Sequence, residues 1–163
     1  KPTIAMIRGF CIGGGMGLAV ACDIRLCEDK SRFAVPAAKL GLGYGYDGVR
    51  RLSHLVGPSM VKEIFFTARQ FSAQEAYDMG LANRVLPPHM LEAYVSDYAK
   101  RISENAPMTM ASIKSITHEI AKEESSQDLE RIAAEVKACF DSKDYIAGRR
   151  AFMEKRKPDF KGE

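Results

Sequence analysis

The chain has 163 residues, the length of one ordinary domain, with 46% apolar and 28% charged residues, which excludes a chain disordered along its whole length. Its net charge of +3 is too small to argue for nucleic acid as a partner. The longest uncharged run, Gly9 to Cys22, is 14 residues and glycine-rich, too short to cross a bilayer, and no cleavage-like segment marks a signal peptide.

The first half, Lys1 to about Leu55, reads as α/β. "PTIAMIRGF" is an apolar run with β-branched residues, which predicts a buried strand ended by Gly13–Gly15. "MGLAVAC" suits a short helix of small residues. "DIRLCE" and "RFAVP" predict two more strands, and the glycine-dense "KLGLGYGYDG" a loop. The second half is helical. "PSMVKEIFFTA" opens on a proline at a helix start. "SAQEAYDMG" places Ser72 three residues before Glu75, a capping box, and ends at Gly80. Amphipathic stretches follow near 89–104, 107–122, 126–140 and 143–156. A strand at the first residues needs parallel neighbours and helices on both faces, so these few strands are expected to be the C-terminal part of a larger domain. The expected division is 1–88 for the α/β part and 89–163 for the helical region.

Cys11, Cys22, Cys27 and Cys139 have no CxxC spacing and read as reduced thiols of an intracellular protein. His54, His89 and His118 stand alone, so no metal site is expected.

Three glycines between an apolar strand and a small-residue helix expose backbone N–H groups at a helix N-terminus, where anions are stabilised. The spacing fits neither a Walker loop, since Gly15-Met16 stand where Lys-Ser or Lys-Thr is needed, nor a dinucleotide fingerprint, since residue 18 is leucine. A nucleophile elbow fails for want of a serine. An oxyanion site and simple tight strand–helix packing both remain open on the residues alone.

"KPTIAMIRGFCIGGGMGLAVACDIRLC" resembles the second oxyanion segment of the crotonase superfamily, the enoyl-CoA hydratase/isomerase family. The likeness runs on through "RFAVP", "GVRRLSHLVG", "FTARQFSAQEAYDMGLANRVLP" and "AFMEKRKPDF". It implies an α/β fold, a crotonase-like spiral of ββα turns of which this chain holds the second part, followed by a helical trimerisation region. It implies an acyl-CoA thioester as substrate, no cofactor beyond the coenzyme A of that substrate, no nucleic-acid or membrane partner, and a homotrimer or hexamer. A cytoplasmic location, or the mitochondrial matrix in a eukaryote, goes with it.

The resemblance makes the Gly14 amide an oxyanion donor. It sets the substrate against Gly13, Gly15, Met16 and Leu42, with Phe152 near the acyl or adenine group and Lys155 near the CoA phosphates. The family's two catalytic glutamates fall on Gly17 and Ala37, neither of which can transfer a proton, and the acid of its dienoyl-CoA isomerases falls near Gly45. "LGLGY" resembles the methylmalonyl-CoA decarboxylase branch, in which a tyrosine matching Tyr44 orients the substrate carboxylate. Asp47 is an alternative acid. A reaction without paired glutamates, decarboxylation first among them, is therefore expected. A hydratase or isomerase with an acid/base from elsewhere, and a non-catalytic acyl-CoA binder or trimer partner, are the alternatives.

Overall fold

The computed structural model describes residues 1–163, which form two compact units, Thr3–Asp97 and Lys1–Pro2 with Tyr98–Glu163. The first unit holds two three-stranded sheets. In one, β1 (Ile4–Ile7) pairs in parallel with β3 (Ile24–Glu28), Ile4 opposite Ile24, and β3 pairs in parallel with β6 (Arg84–Leu86). In the other, β2 (Phe10–Ile12) pairs in parallel with β4 (Arg32–Ala34), which pairs antiparallel with β5 (Phe71–Ser72). The pairing sets Phe33 opposite Phe71, and both rings are fully buried.

The sequence predicts one strand across "PTIAMIRGF"; the structure divides that run between the two sheets. The cause is Gly9, at φ 65°, a left-handed backbone that glycine adopts without a Cβ clash. Its N–H donates to the Glu28 carboxylate at 3.0 Å and its carbonyl accepts from Arg32 N at 2.9 Å, which fixes the crossing from one sheet to the other.

Helix α1 (Gly14–Ala21) follows β2 directly. Its far end is held by Arg25, only 3% exposed, whose guanidinium donates to the carbonyls of Cys22 and Leu81 at 2.7 Å and of Ala19 at 3.4 Å. A cation on the last carbonyls of a helix both satisfies them and complements the helix dipole. Burial lowers the Arg25 pKa from its ordinary value.

After β4 a single 3-10 turn (Pro36–Leu40) ends at Gly41 in the left-handed region. The loop predicted through Gly48 stops earlier. Gly45, extended at ψ 145°, is the N-cap of α2 (Tyr46–Thr67), so Tyr46, Asp47 and Gly48 lie in its first turn. This helix is two segments joined at Gly57 (φ 78°, ψ 160°), and Pro58 starts the second, where its missing N–H is harmless. Helix α3 (Ala73–Asp78) has the expected capping box: Glu75 N donates to Ser72 Oγ at 3.2 Å and Ser72 N to the Glu75 carboxylate at 2.7 Å.

The four long helices expected from periodicity are present as α4 (Pro88–Ser103), α5 (Pro107–Ile120), α6 (Leu129–Asp141) and α7 (Lys143–Met153). The division between the units falls within α4. In the second unit, Glu119 of α5 is 3% exposed and draws Lys122 Nζ (2.7 Å), Asp128 N (3.1 Å) and the Arg131 guanidinium to its carboxylate, which ties α5 to α6. No helix is long and apolar enough to cross a membrane.

Candidate active site

The junction of β2 and α1 decides what the glycines offer. Gly13 has φ 57° and ψ −113°, a conformation barred to residues with a Cβ. Its N–H continues the ladder to Ala34 O at 2.9 Å, and its carbonyl accepts the first intrahelical bond, from Gly17 N at 3.0 Å. The amide of Gly13 is thus already engaged. Those of Gly14, Gly15 and Met16 precede that first bond and have no intrahelical acceptor, as helix geometry requires of a first turn. They are the donors that the bare turn presents to an anion.

Beside this turn lies a cavity of about 260 Å³. Its walls come from α1 (Met16, Gly17, Val20), from the loop after the 3-10 turn (Tyr44) and from α2 (Asp47, Arg51, Phe65). Met16, 2% exposed, belongs to the apolar core as well as to the wall. Tyr44 is 37% exposed, and its ring and that of Phe65 make a T-shaped contact with centroids 5.0 Å apart at 73°. Its hydroxyl lies 3.9 Å from the point where a Cβ on Gly17 would stand. Asp47 is the sole carboxylate on the wall and Arg51, one helical turn later, the sole cation. Ala37, 4% exposed, is packed into the core.

The structure therefore brings Met16, Tyr44 and Asp47 to one cavity. Gly13, Gly14, Gly15 and Leu42 are not on its wall; Leu42 is exposed, its N–H closing the 3-10 turn on Ala37 O at 3.0 Å. Phe152 lines a separate, larger cavity of about 630 Å³ within the second unit, between α5, α6, α7 and Phe160, which follows α7. Lys155 is on neither wall; it is exposed and in the left-handed region at φ 53°. Gly48, Arg51 and Phe65 are wall residues that the sequence did not single out. Gly48 was lost among the glycines of a stretch read as a loop, and Phe65 carried no signal. No group of three or more His, Cys, Asp or Glu side chains converges on a possible metal position.

All of residues 1–163 match the profile of the family described as enoyl-CoA hydratase/isomerase. The chain belongs to that family. It is 36% identical to the carnitinyl-CoA dehydratase of Salmonella arizonae, over 99% of this chain and 64% of the relative, and 36% identical to the crotonyl-CoA hydratase of Syntrophomonas wolfei, over 98% and 62%. Among solved structures, an enoyl-CoA hydratase/carnithine racemase from Magnetospirillum magneticum superposes with a TM-score of 0.91 at 35% identity, over 100% of this chain and 60% of that one. The fold is thus crotonase-like α/β with a helical C-terminal region, and the chain spans about three fifths of the length of these enoyl-CoA hydratase/isomerase relatives.

Proposed function

We propose that this chain is the C-terminal part of an acyl-CoA enzyme that stabilises an enolate formed from a thioester, and that its reaction is a decarboxylation of the methylmalonyl-CoA kind. The observation that carries the reading is the α1 turn. The Gly13 amide is engaged by Ala34, while the Gly14 amide is left at the positive end of a helix whose Met16 and Gly17 line the cavity, and neither position 17 nor position 37 carries a carboxylate.

The chemistry follows from what is present. In decarboxylation the bond between the α-carbon and the carboxylate carbon breaks. Its electron pair enters the thioester as an enolate, carbon dioxide leaves, and the α-carbon then takes a proton from solvent. No protein base has to remove a proton. What must be supplied is stabilisation of the negative oxygen, for which one well-placed amide contributes about 2.7–4 kcal/mol. The Gly14 N–H is that donor, and a second donor is expected from residues ahead of Lys1. Tyr44 orients the departing carboxylate from the opposite wall. CoA enters as part of the substrate, with Lys155 meeting its phosphates and Phe152 its acyl or adenine portion. The exposed apolar side chains of Phe140, Ile146, Phe152 and Met153 support self-association as a trimer or a dimer of trimers. A cytoplasmic or mitochondrial-matrix location suits this chemistry.

A second reading is favoured by Asp47 on the cavity wall and by the hydratase and dehydratase names of the relatives: water addition with Asp47, or a group outside these residues, as the acid/base. One experiment separates the two. The full-length protein is given methylmalonyl-CoA and crotonyl-CoA in parallel. Release of carbon dioxide that Tyr44→Phe abolishes is the expected result. Loss of the enone absorbance of crotonyl-CoA, sensitive to Asp47→Asn, would replace decarboxylation by hydration. CoA-ester binding without turnover of either would make the protein a non-catalytic member.

A further inference from the structure

We propose that Gly48 and Phe65 are positioning residues for Tyr44, a bare backbone seat and an aromatic clamp that together aim its hydroxyl at the first turn of α1. The inference rests on the reading of Tyr44 given above, and it goes further by saying what holds that side chain in place.

Tyr44 needs such support. It precedes α2 in a loop that also contains Gly41, Gly43 and Gly45, so the local backbone does little to fix its side chain. Two contacts replace that control. A Cβ on Gly48 would lie 3.2 Å from Tyr44 Cε1, closer than a methyl group and a ring edge ordinarily approach, and 3.5 Å from Cδ1, in ordinary contact. The ring edge therefore crowds the point where a side chain on residue 48 would begin. A glycine inside a helix costs about 0.5–1 kcal/mol relative to alanine, so its presence in this turn calls for such a reason. On another side the Tyr44 ring meets Phe65 in a T-shaped contact at 5.0 Å, a geometry that favours one relative orientation of the two rings. Phe65 reaches this position from the α2 segment beyond the bend at Gly57, so the bend and the clamp belong to one arrangement. The outcome is a hydroxyl 3.9 Å from the Cβ position of Gly17, at the end of a ring held between the backbone of residue 48 and the Phe65 ring.

A methyl group at 48 must push the ring edge by some tenths of an ångström. Removing the ring at 65 frees it to turn. A misplacement of about 1 Å at a reacting group costs up to about 10²-fold in rate.

The test uses the full-length protein carrying tyrosine labelled with ¹³C at Cζ. The chain shown here has six tyrosines, and the Tyr44 resonance is the one that Tyr44→Phe removes. Gly48→Ala and Phe65→Leu are each expected to shift that resonance and leave the others in place, and Phe65→Tyr, which keeps a ring, to return it toward its original position. With methylmalonyl-CoA, kcat is expected to fall about 10- to 100-fold in Phe65→Leu and by a smaller factor, about 3- to 10-fold, in Gly48→Ala, while KM changes less than about threefold in each. An unmoved Tyr44 resonance in both variants overturns the proposal, as does a shifted resonance with an unchanged kcat. If the wild-type protein releases no carbon dioxide, the decarboxylation reading fails, and the resonance shifts still decide whether Gly48 and Phe65 place the tyrosine. Should Gly48→Ala not fold, Phe65→Leu and its comparison with Phe65→Tyr give the answer alone.

Discussion

The Tyr44 hydroxyl stands 3.9 Å from where a Cβ on Gly17 would be, so a loop side chain fills space beside a helix position that has none. That distance is ordinary van der Waals contact, which means a methyl group at 17 fits. Gly17 lies inside α1 with helical backbone, so Gly17→Ala is expected to raise stability by about 0.4–1 kcal/mol through a less flexible unfolded chain. Gly13, four residues earlier, is the opposite case. Nothing lies within 4 Å of a Cβ there, yet its φ of 57° with ψ −113° strains any other residue, and Gly13→Ala is expected to cost about 1–3 kcal/mol. Denaturant midpoints of the two variants check the pair. A loss at 17 equal to that at 13 would show that space, and not backbone conformation, governs this turn.

Arg25 ties α1 to the segment before β6, and it does so through carbonyl oxygens alone: Ala19, Cys22 and Leu81. A lysine has one point donor in place of a planar fork and cannot reach carbonyls on both sides. Arg25→Lys is expected to destabilise the protein by about 1–3 kcal/mol, because a buried carbonyl left without its donor loses that much. Thermal unfolding of the variant measures it. Full stability in Arg25→Lys would mean the guanidinium is not what anchors the helix.

The Glu119 carboxyl is pulled down to about 2 by the ammonium of Lys122 first, then by Asp128 N–H and Arg131. Its folded-state value therefore lies below the usual carboxylate range of about 4.3. The stabilisation is complete above that range and disappears as pH falls through about 2, when the folded form too takes up the proton. Glu119→Gln is expected to be less stable than wild type at pH 7, and the gap is expected to narrow as pH drops from about 4.5 toward 2. Urea midpoints across that interval report it. A gap that stays constant down to pH 2 would remove Glu119 from the acid response.

What could be read from the sequence was what neighbouring residues determine. The capping box of Ser72 and Glu75, the start of a helix at Pro58 and the four C-terminal helices are local, and they stand where their spacing puts them. The split between β1 and β2 was hidden because Gly9 acts through Glu28 and Arg32, which only the folded chain brings near. The short strands β5 and β6 were equally hidden: two or three residues carry no period, and their pairing with β4 and β3 is set across long stretches of chain. At the candidate site, the bare turn of Gly13 to Gly15 was legible as chemistry because consecutive glycines are rare punctuation. Tyr44 came from resemblance to a family branch. Phe65 was invisible, since an aromatic residue on an amphipathic helix has no mark that tells a clamp from ordinary core.

Two thiols are buried where two others are only partly covered. Burial pushes the Cys11 thiol up to about 11, and burial first, with Cys11 and Glu28 as neighbouring charges, pushes Cys27 up to about 12. Both groups remain protonated at neutral pH and out of reach. A thiol reagent at pH 7 is therefore expected to leave Cys11 and Cys27 unmodified in the folded protein and to modify all four cysteines of the chain once it is unfolded. Mass spectrometry after alkylation distinguishes the sites. Rapid native labelling of Cys27 would contradict the packing of β3.

The C-terminal tail is held by one buried carboxylate. Asp144, 4% exposed in the first turn of α7, accepts Lys161 N at 2.7 Å on one oxygen and Gly162 N at 2.8 Å on the other, and its own N–H donates to Glu163 O at 3.1 Å. Phe160 is thereby laid against Gly148, where a Cβ would come within 3.3 Å of the ring. Asparagine at 144 keeps the shape but turns one acceptor into a donor, which then faces a backbone N–H. Asp144→Asn is expected to lose about 1–3 kcal/mol, and the loss should be local to the tail. Hydrogen exchange is the direct measurement: the amides of Lys161 and Gly162 should exchange much faster in Asp144→Asn, while those of α5 stay as protected as before. Slow exchange at both tail amides in the variant would show that the Phe160 contact, and not the carboxylate, fastens the tail.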